Sequence, residues 1–403
     1  MFKVENDILT KAVSFVSTIV AKTQVISPVL QNIKLTFDDK DGLKFETTNT
    51  DISCFYTIER SLVETKTKGF VTTVPALKLN DILKKIGSEK LSCKFIKTNE
   101  KEVFVIKTAK SKFLLDCLPS ATYPSQRVLD YANNFTIKAS DLLNAINRVK
   151  FSVCTDEARF YINGILLDTN GKDTEGNSSL NIVSTDSHRL SVQSIPMSLN
   201  IEASQVIIPK RSIQKVIDIL SIAKDNDVLI EINKTKLKIT FNGCSVSSNL
   251  IEGEFPQYQR VIPQNCNLKT KILKSELQKA INNVSAIFSG SAYNVVKLNF
   301  SSKNILEVEA SRSTKNLGSD IGIAKYKMEC ECSFDNEFSV SYNYSYITDC
   351  LNAIDSKKCE FSFSESSKPC LVKPVSDNSE ETKESSSKEQ SVDYKFVIMP
   401  IRV

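Results

Sequence analysis

Residues 140–153 read SDLLNAINRVKFSV. Ser140 is a residue type that caps helix N-termini, and Asp141 puts a carboxylate in the positive first turn. Leu142, Ile146, Val149 and Val153 then recur at 4-3-4 spacing, which predicts a helix over 140–153 with one apolar stripe. The same design occurs twice more. NDILTKAVSFVSTI has Asn6 as cap, Asp7 after it, and Ile8, Ala12, Phe15 and Ile19 as its stripe. SELQKAINNVSAIF has Ser275, Glu276, then Leu277, Ile281, Val284 and Phe288. The predicted caps lie 134 and 135 residues apart, a period that marks repeated units.

A second helix follows each of these at the same period. VPALKLNDILKKI opens on Pro75 and buries Leu79, Ile82, Leu83 and Ile86. IPKRSIQKVIDIL opens on Pro209 and buries Ile213, Val216, Ile217 and Leu220. In NYSYITDCLNAI, Asn343 stands where the prolines stood, and Ile347, Cys350, Leu351 and Ile354 form the buried face. Between the helices the chain alternates as strands do, with Ile33, Leu35 and Phe37, then Leu43 and Phe45, joined at an Asp41-Gly42 hairpin turn. Each unit is therefore helix, strands, helix, strands. The expected class is α+β, three repeats with two helices on one face of antiparallel sheets. The expected boundaries are 1–131, 132–267 and 268–403. Residues 373–393, rich in Ser, Glu and Lys, read as a disordered insertion between two strands.

Composition narrows the function. The 403 residues suffice for about three domains. No apolar run approaches the ~18 residues of a membrane span, and MFKVENDILT does not read as a signal peptide, so a cytoplasmic location with no membrane partner is expected. Eleven Cys show no CxxC pairs or metal-ligand spacing and read as free thiols; a single His removes most His-based metal and acid/base schemes. No metal, cofactor or catalytic residue is expected. A net charge of +5 allows a nucleic-acid partner without demanding one.

Four motifs carry a resemblance: Thr185-Asp186-Ser187-His188-Arg189-Leu190, where the family usually has TDGHRL; Phe255-Pro256-Gln257-Tyr258-Gln259-Arg260-Val261; Tyr161-Ile162-Asn163-Gly164; and the terminal Val397-Ile398-Met399-Pro400-Ile401-Arg402-Val403. With the threefold repeat, they make the chain resemble the bacterial DNA polymerase III beta subunit, the DNA sliding clamp. The resemblance covers the chain apart from 373–393. It implies a processivity factor and not an enzyme: a head-to-tail homodimeric ring of six similar domains, helices lining the hole and sheets outside, that slides on double-stranded DNA without reading sequence. The implied partners are a second copy, the DNA polymerase III alpha subunit, the clamp-loader complex, and other DNA polymerases and repair proteins bearing clamp-binding peptides.

Site residues follow by the same resemblance. DNA contact is expected at Lys22, Gln24, Lys78, Arg148, Phe160, Tyr161, Lys210 and Arg211, Gln24 replacing a usual Arg. A partner-peptide groove is expected at Ile162, Thr185, Ser187, His188, Arg189, Leu190, Pro256, Arg260, Val261, Asn343, Tyr346, Pro369, Val397, Met399, Pro400, Ile401 and Arg402, with Ser187, in place of Gly, narrowing it. The ring joint is expected at Lys110, Lys112, Phe113 and Leu115 against Ile287 and Phe288, although these last two also read as core. Acidic partners that relatives place in the third domain look weakened, since SRSTKNLGSDIG stands there. Two other readings compete. One is a hydrolase using Ser187, His188 and Asp186, disfavoured because neighbours on an extended segment face opposite ways. The other is an open repeat scaffold that binds only protein.

Overall fold

The computed structural model describes residues 1–21, 27–97, 101–124, 131, 133–197, 201–202, 204–288, 294–301, 304–312, 322–334, 336–375 and 393–401. Lys22, Gln24, Arg402, residues 376–392 of the expected insertion and most of SRSTKNLGSDIG lie outside them. The described residues hold six α-helices: α1 (Asn6–Ser17), α2 (Ala76–Lys85), α3 (Ala139–Val149), α4 (Lys210–Ala223), α5 (Lys274–Ser285) and α6 (Tyr344–Asn352). They fall at the repeat expected, and none is long and apolar enough to cross a membrane.

The helix starts differ from the sequence expectation. A strand that periodicity missed runs directly into each long helix: Phe2–Glu5, Asn133–Lys138 and Leu268–Leu273. Each helix consequently begins at or before its predicted cap, and α1 and α5 have no side-chain cap. The backbone N–H of the first helical residue is satisfied elsewhere. Asn6, Ala139 and Lys274 donate to the carbonyls of Glu89, Asn226 and Lys357, at 3.0, 2.9 and 2.8 Å. An orphan donor accepts any partner, and backbone from the loop after the second helix gets there first. The Asn6 side chain, freed from capping, donates to the Leu83, Ile86 and Gly87 carbonyls and ties α1 to the end of α2. Lys274 Nζ makes the corresponding bond to the Ile354 carbonyl, 2.7 Å, at the end of α6. At the start of α6 Asn343, which takes the place of the prolines, is a side-chain cap, accepting from the Ser345 N–H at 2.9 Å.

The apolar stripes hold with local shifts on three helices. On α1 the most deeply buried residues are Leu9, Ala12, Val13 and Val16, while Ile8 is half-buried. On α2 Ile82 and Ile86 are half-buried, and on α4 Ile219 replaces Ile217 at the core. Leu142, Ile146 and Val149 of α3, and Leu277, Ile281 and Val284 of α5, are buried as the spacing requires. The helix predicted to Val153 instead ends at Val149 and tightens into a 3-10 turn, Lys150–Ser152.

The chain forms two compact units: Met1–Leu143 with Arg211–Leu250, and Asn144–Lys210 with Ile251–Val403. The sheets explain why the middle repeat is divided. In the first unit an eight-stranded antiparallel sheet joins repeats where Cys244–Asn249 pairs with Ile52–Ile58, Val246 opposite Cys54. Its Asp41-Gly42 turn forms as predicted: Gly42 sits at φ +95°, and a Cβ there would lie 2.3 Å from the Ile58 carbonyl oxygen. In the second unit a nine-stranded sheet joins repeats where Arg189–Pro196 pairs with Asp393–Ile398. Five- and four-stranded sheets complete the two units, ending at the edge strands Lys112–Cys117 and Gly322–Glu329 respectively. Each repeat thus covers a strand edge with its neighbour in sequence, which removes an otherwise reactive edge.

Candidate functional site

Leu190 and Val397 lie opposite each other where the two repeats share their sheet, and Leu371 pairs with Val397 from the other side. These three residues pack with Ile162, Val192, Phe255 and Tyr258 in one buried apolar cluster. The YING motif is legible here. Gly164 pairs with Pro209 so closely that a Cβ would stand 2.3 Å from the Ile208 carbonyl oxygen, and this contact seats Ile162 beside the cluster. The motif tyrosine, Tyr258, donates to Asp168 Oδ2 and accepts from Asn181 Nδ2, both at 3.0 Å. Burial pushes its phenol pKa up, and the Asp168 charge adds to the shift. This buried network holds the 3-10 turn Tyr258–Val261, leaving Pro256, Arg260 and Val261 exposed on one wall.

Thr185–Leu190 is a hairpin turn and not the extended segment expected. Thr185 Oγ1 donates to the Arg189 carbonyl, 2.7 Å, and Asp186 Oδ1 accepts from the His188 and Arg189 N–H groups, 2.9 and 3.0 Å. Ser187 takes φ +75°, the left-handed region that favours glycine, and its Oγ accepts from Arg159 Nη1, 3.1 Å. The hydrolase arrangement fails for this reason: the Asp186 carboxylate is committed to the turn and to Arg189, and the Ser187 hydroxyl to Arg159.

Arg189 joins the walls. Its Nε meets Asp186 Oδ2 at 3.0 Å, Nη1 meets Asp349 Oδ2 on α6 at 2.6 Å, and Nη2 donates to the Phe151 carbonyl at 2.7 Å. The guanidinium lies 4.6 Å from the Tyr346 ring centre and 5.1 Å from that of Phe151. Tyr346 in turn stacks on His188, centroids 6.1 Å apart. Its phenol pKa is raised, by burial first and the Asp186 charge second, with Arg189 opposing. The last described residues are pinned alongside: Met399 N–H donates to the His188 carbonyl, 2.9 Å, and Ile401 N–H to the Ser341 carbonyl, 2.8 Å. Met399, Pro400, Ile401, Pro369 and Asn343 are half-buried. Buried apolar Leu190, Val397 and Leu371 thus lie beside exposed Pro256, Arg260 and Val261 and beside the Arg189 ion pairs. Sequence reasoning missed Phe151, Asp349 and Arg159, whose partners are distant in the chain.

The residues expected at DNA divide. Lys78, Lys210 and Arg211 are exposed, Arg211 with Nη1 2.9 Å from Asp51 Oδ2. Phe160 and Tyr161 stand edge to face on the 3-10 turn Glu157–Ile162, with Phe160 54% exposed. Arg148 is not a free cation. It pairs with Asp355, donates to Gln193 Oε1 at 2.9 Å, and lies 4.5 Å from the Tyr394 ring centre. Its place is in the packing between repeats.

The residues expected at the ring joint also divide. Lys110, Lys112 and Leu114 are exposed on or beside the edge strand Lys112–Cys117, Phe113 is half-buried and Leu115 buried. The other edge, Gly322–Glu329, exposes Ile323 and lies against half-buried Ile287. Phe288 belongs to the core of its own repeat, 7% exposed and packed edge-on against Tyr344, which is the core alternative.

Three repeats, each with two helices against antiparallel sheets shared with the neighbour in sequence, define the clamp class of folds. Family models for the DNA polymerase III beta subunit match along the chain: N-terminal domain at residues 1–128, central domain at 136–257 and C-terminal domain at 259–384. The chain is 32% identical to the beta sliding clamp of Rickettsia bellii, covering 99% of both, and 28% identical to that of Pseudomonas aeruginosa over 100% of both. A crystal structure of the Pseudomonas aeruginosa DNA polymerase III subunit beta superposes with a TM-score of 0.86 at 25% identity, covering 100% of each chain. Another from that organism, bound to griselimycin, superposes at 0.85 with 25% identity, covering 100% of this chain and 99% of that one. The chain belongs to the DNA polymerase III beta subunit family, the sliding clamps, which are processivity factors of DNA replication and not enzymes.

Proposed function

We propose that two copies close head to tail into a ring that encircles duplex DNA, and that the groove around Arg189 holds the peptide of the replicative polymerase. The groove carries this reading, because Leu190, Val397 and Leu371 give it an apolar floor and the His188–Met399 bond fixes its edge. The three domains run 1–131, 132–267 and 268–403. The groove is lined by the residues named above from Ile162 to Arg402, and it serves in turn the polymerase III alpha subunit, the clamp loader, and other polymerases and repair proteins.

The joint pairs the edge Lys112–Cys117, with Lys110, of one copy with the edge Gly322–Glu329 and Ile287 of the other. Two unpaired edges bearing exposed Leu114 and Ile323 support it, since such edges seek partners. Lys325 and Lys327 on the second edge are paired with Glu307 and Glu309, so the joint rests on strand pairing and apolar contact more than on ion pairs.

Lys22, Gln24, Lys78, Phe160, Tyr161, Lys210 and Arg211 face the DNA, with Arg148 supporting them from the packing. Phosphate contacts of this kind are blind to sequence and weaken with salt. Closure supplies retention, so the contacts need not be tight. The test is retention on DNA: protein loaded on a closed circle should stay through a salt wash and leave when the circle is linearised. Equal retention on both forms would refute encirclement.

A further inference from the structure

Cys330 and Cys332 flank Glu331 where the chain leaves the edge strand Gly322–Glu329 and enters the nine-stranded sheet as Glu331–Cys332. Residues two apart on extended backbone project to one side, and here the two sulfurs approach to 3.4 Å. The backbone fixes this approach. The Cys330 and Cys332 N–H groups donate to the main-chain and side-chain oxygens of the same residue, Asn304, both at 2.9 Å. Glu331 is held by Lys358 Nζ at 2.7 Å, and Cys332 pairs with Thr270 on Leu268–Leu273. The thiols differ in access: Cys330 is buried and Cys332 is partly exposed. Of the other nine cysteines, seven are buried, and Cys117 and Cys266 are partly exposed.

We propose that Cys330 and Cys332 are a dithiol modification site whose reactant is a small-molecule disulfide. Cys332, as thiolate, attacks one sulfur of the reagent; the reagent's S–S bond breaks, its departing thiolate takes up a proton, and Cys332 is left in a mixed disulfide. Cys330 releases its proton to solvent and attacks Cys332 Sγ, expelling the second reagent thiolate, which is then protonated. Two protein thiols are oxidised to one disulfide, and one reagent disulfide is reduced to two thiols. Burial, and the neighbouring Cys332 after it, push the Cys330 thiol up to about 12, which leaves the first attack to the partly exposed partner; the 3.4 Å approach is what gives Cys330 the second, resolving step. The new bond ties the crossing between two sheets directly after the edge strand.

Oxidised glutathione is the probe. The full-length folded protein is incubated with it at neutral pH, residual thiols are alkylated, and the peptide spanning both cysteines is weighed. The expected product lacks two hydrogens and carries no glutathione, while C330S and C330A trap glutathione on Cys332. In C332S, Cys330 remains reduced. A stable glutathione adduct on Cys332 of the unmodified protein would overturn the proposal. So would two alkylated thiols at 330 and 332 after Cys117 and Cys266 have reacted. Both of these are read on the natural sequence, so they stand even where a variant fails to fold.

Discussion

Arg189→Ala removes the side chain whose ion pair with Asp349 ties the turn Thr185–Leu190 to α6. Its guanidinium makes contacts of 3.0, 2.6 and 2.7 Å to Asp186, Asp349 and the Phe151 carbonyl, and packs between the Tyr346 and Phe151 rings. Its side chain is 12% exposed; those of Asp186 and Asp349 are 16% and 38% exposed. Breaking a buried ion pair from one side costs about 3–5 kcal/mol, because the remaining charge is stranded. Asp349 regains water, which argues for the lower end, while two lost cation–ring contacts add about 0.5–1 kcal/mol each. A loss of about 4 kcal/mol is expected in urea unfolding. Arg189→Lys should lose about 2 kcal/mol, since an ammonium cannot reproduce the planar fork that reaches both carboxylates and the carbonyl. Because His188 and Tyr346 are positioned through Arg189, a fluorescent peptide bearing adjacent Leu and Phe should bind Arg189→Ala at least about tenfold more weakly, about 1.4 kcal/mol. In a double-mutant cycle, Arg189→Ala with Asp349→Asn should couple by at least about 1 kcal/mol. Destabilisation under about 1 kcal/mol with unchanged peptide affinity would refute the reasoning.

Two further substitutions probe the same region. Ser187 occupies a left-handed backbone conformation that costs an L residue about 1–2 kcal/mol; Ser187→Gly should therefore gain about 0.5 kcal/mol after losing the Arg159 contact, and Ser187→Val should lose about 2 kcal/mol. A fall in melting temperature for the glycine variant would count against this. Lys395 is 8% exposed, and burial lowers its pKa, with Lys373 pushing the same way and Asp393 and Asp173 opposing. Its folded pKa is below its unfolded one, so the unfolded state binds more protons in the window between them, and stability rises with pH through that window. Below the window the cost of the buried ammonium is present in full. Lys395→Met should thus be more stable than the natural protein at pH 7, by a margin that shrinks towards pH 10; urea midpoints showing the same margin at both pH values would sink this account.

Much of the architecture was legible because periodicity is a property of the chain alone. Leu142, Ile146 and Val149, or Leu277, Ile281 and Val284, must share a helix face wherever the helix packs. The Asp41-Gly42 turn was legible because only glycine accepts that φ with a carbonyl oxygen so close. Pro75, Pro209 and Asn343 marked helix starts for equally local reasons. The caps were misread for the opposite reason. Asn6, Ser140 and Ser275 are good caps in isolation, but the carbonyls of Glu89, Asn226 and Lys357 reach the helix starts, and no local pattern announces a partner more than 80 residues away. Arg148 looked suited to a surface, yet Asp355 with Tyr394 claims it, and of the two readings open for Phe288 its side chain sits in the third-repeat core.

The sequence by itself determined the repeat, the helix faces, the turns and the motifs that name the family, since all are set by spacing and backbone allowance within a few residues. Only the tertiary structure decided that adjacent repeats share sheets, that Arg189 ties the turn Thr185–Leu190 to α6, and that Cys330 and Cys332 touch. Such contacts depend on which distant segments a fold brings together, and an ion pair, a strand edge or a pair of thiols acquires its energy and chemistry from that neighbour.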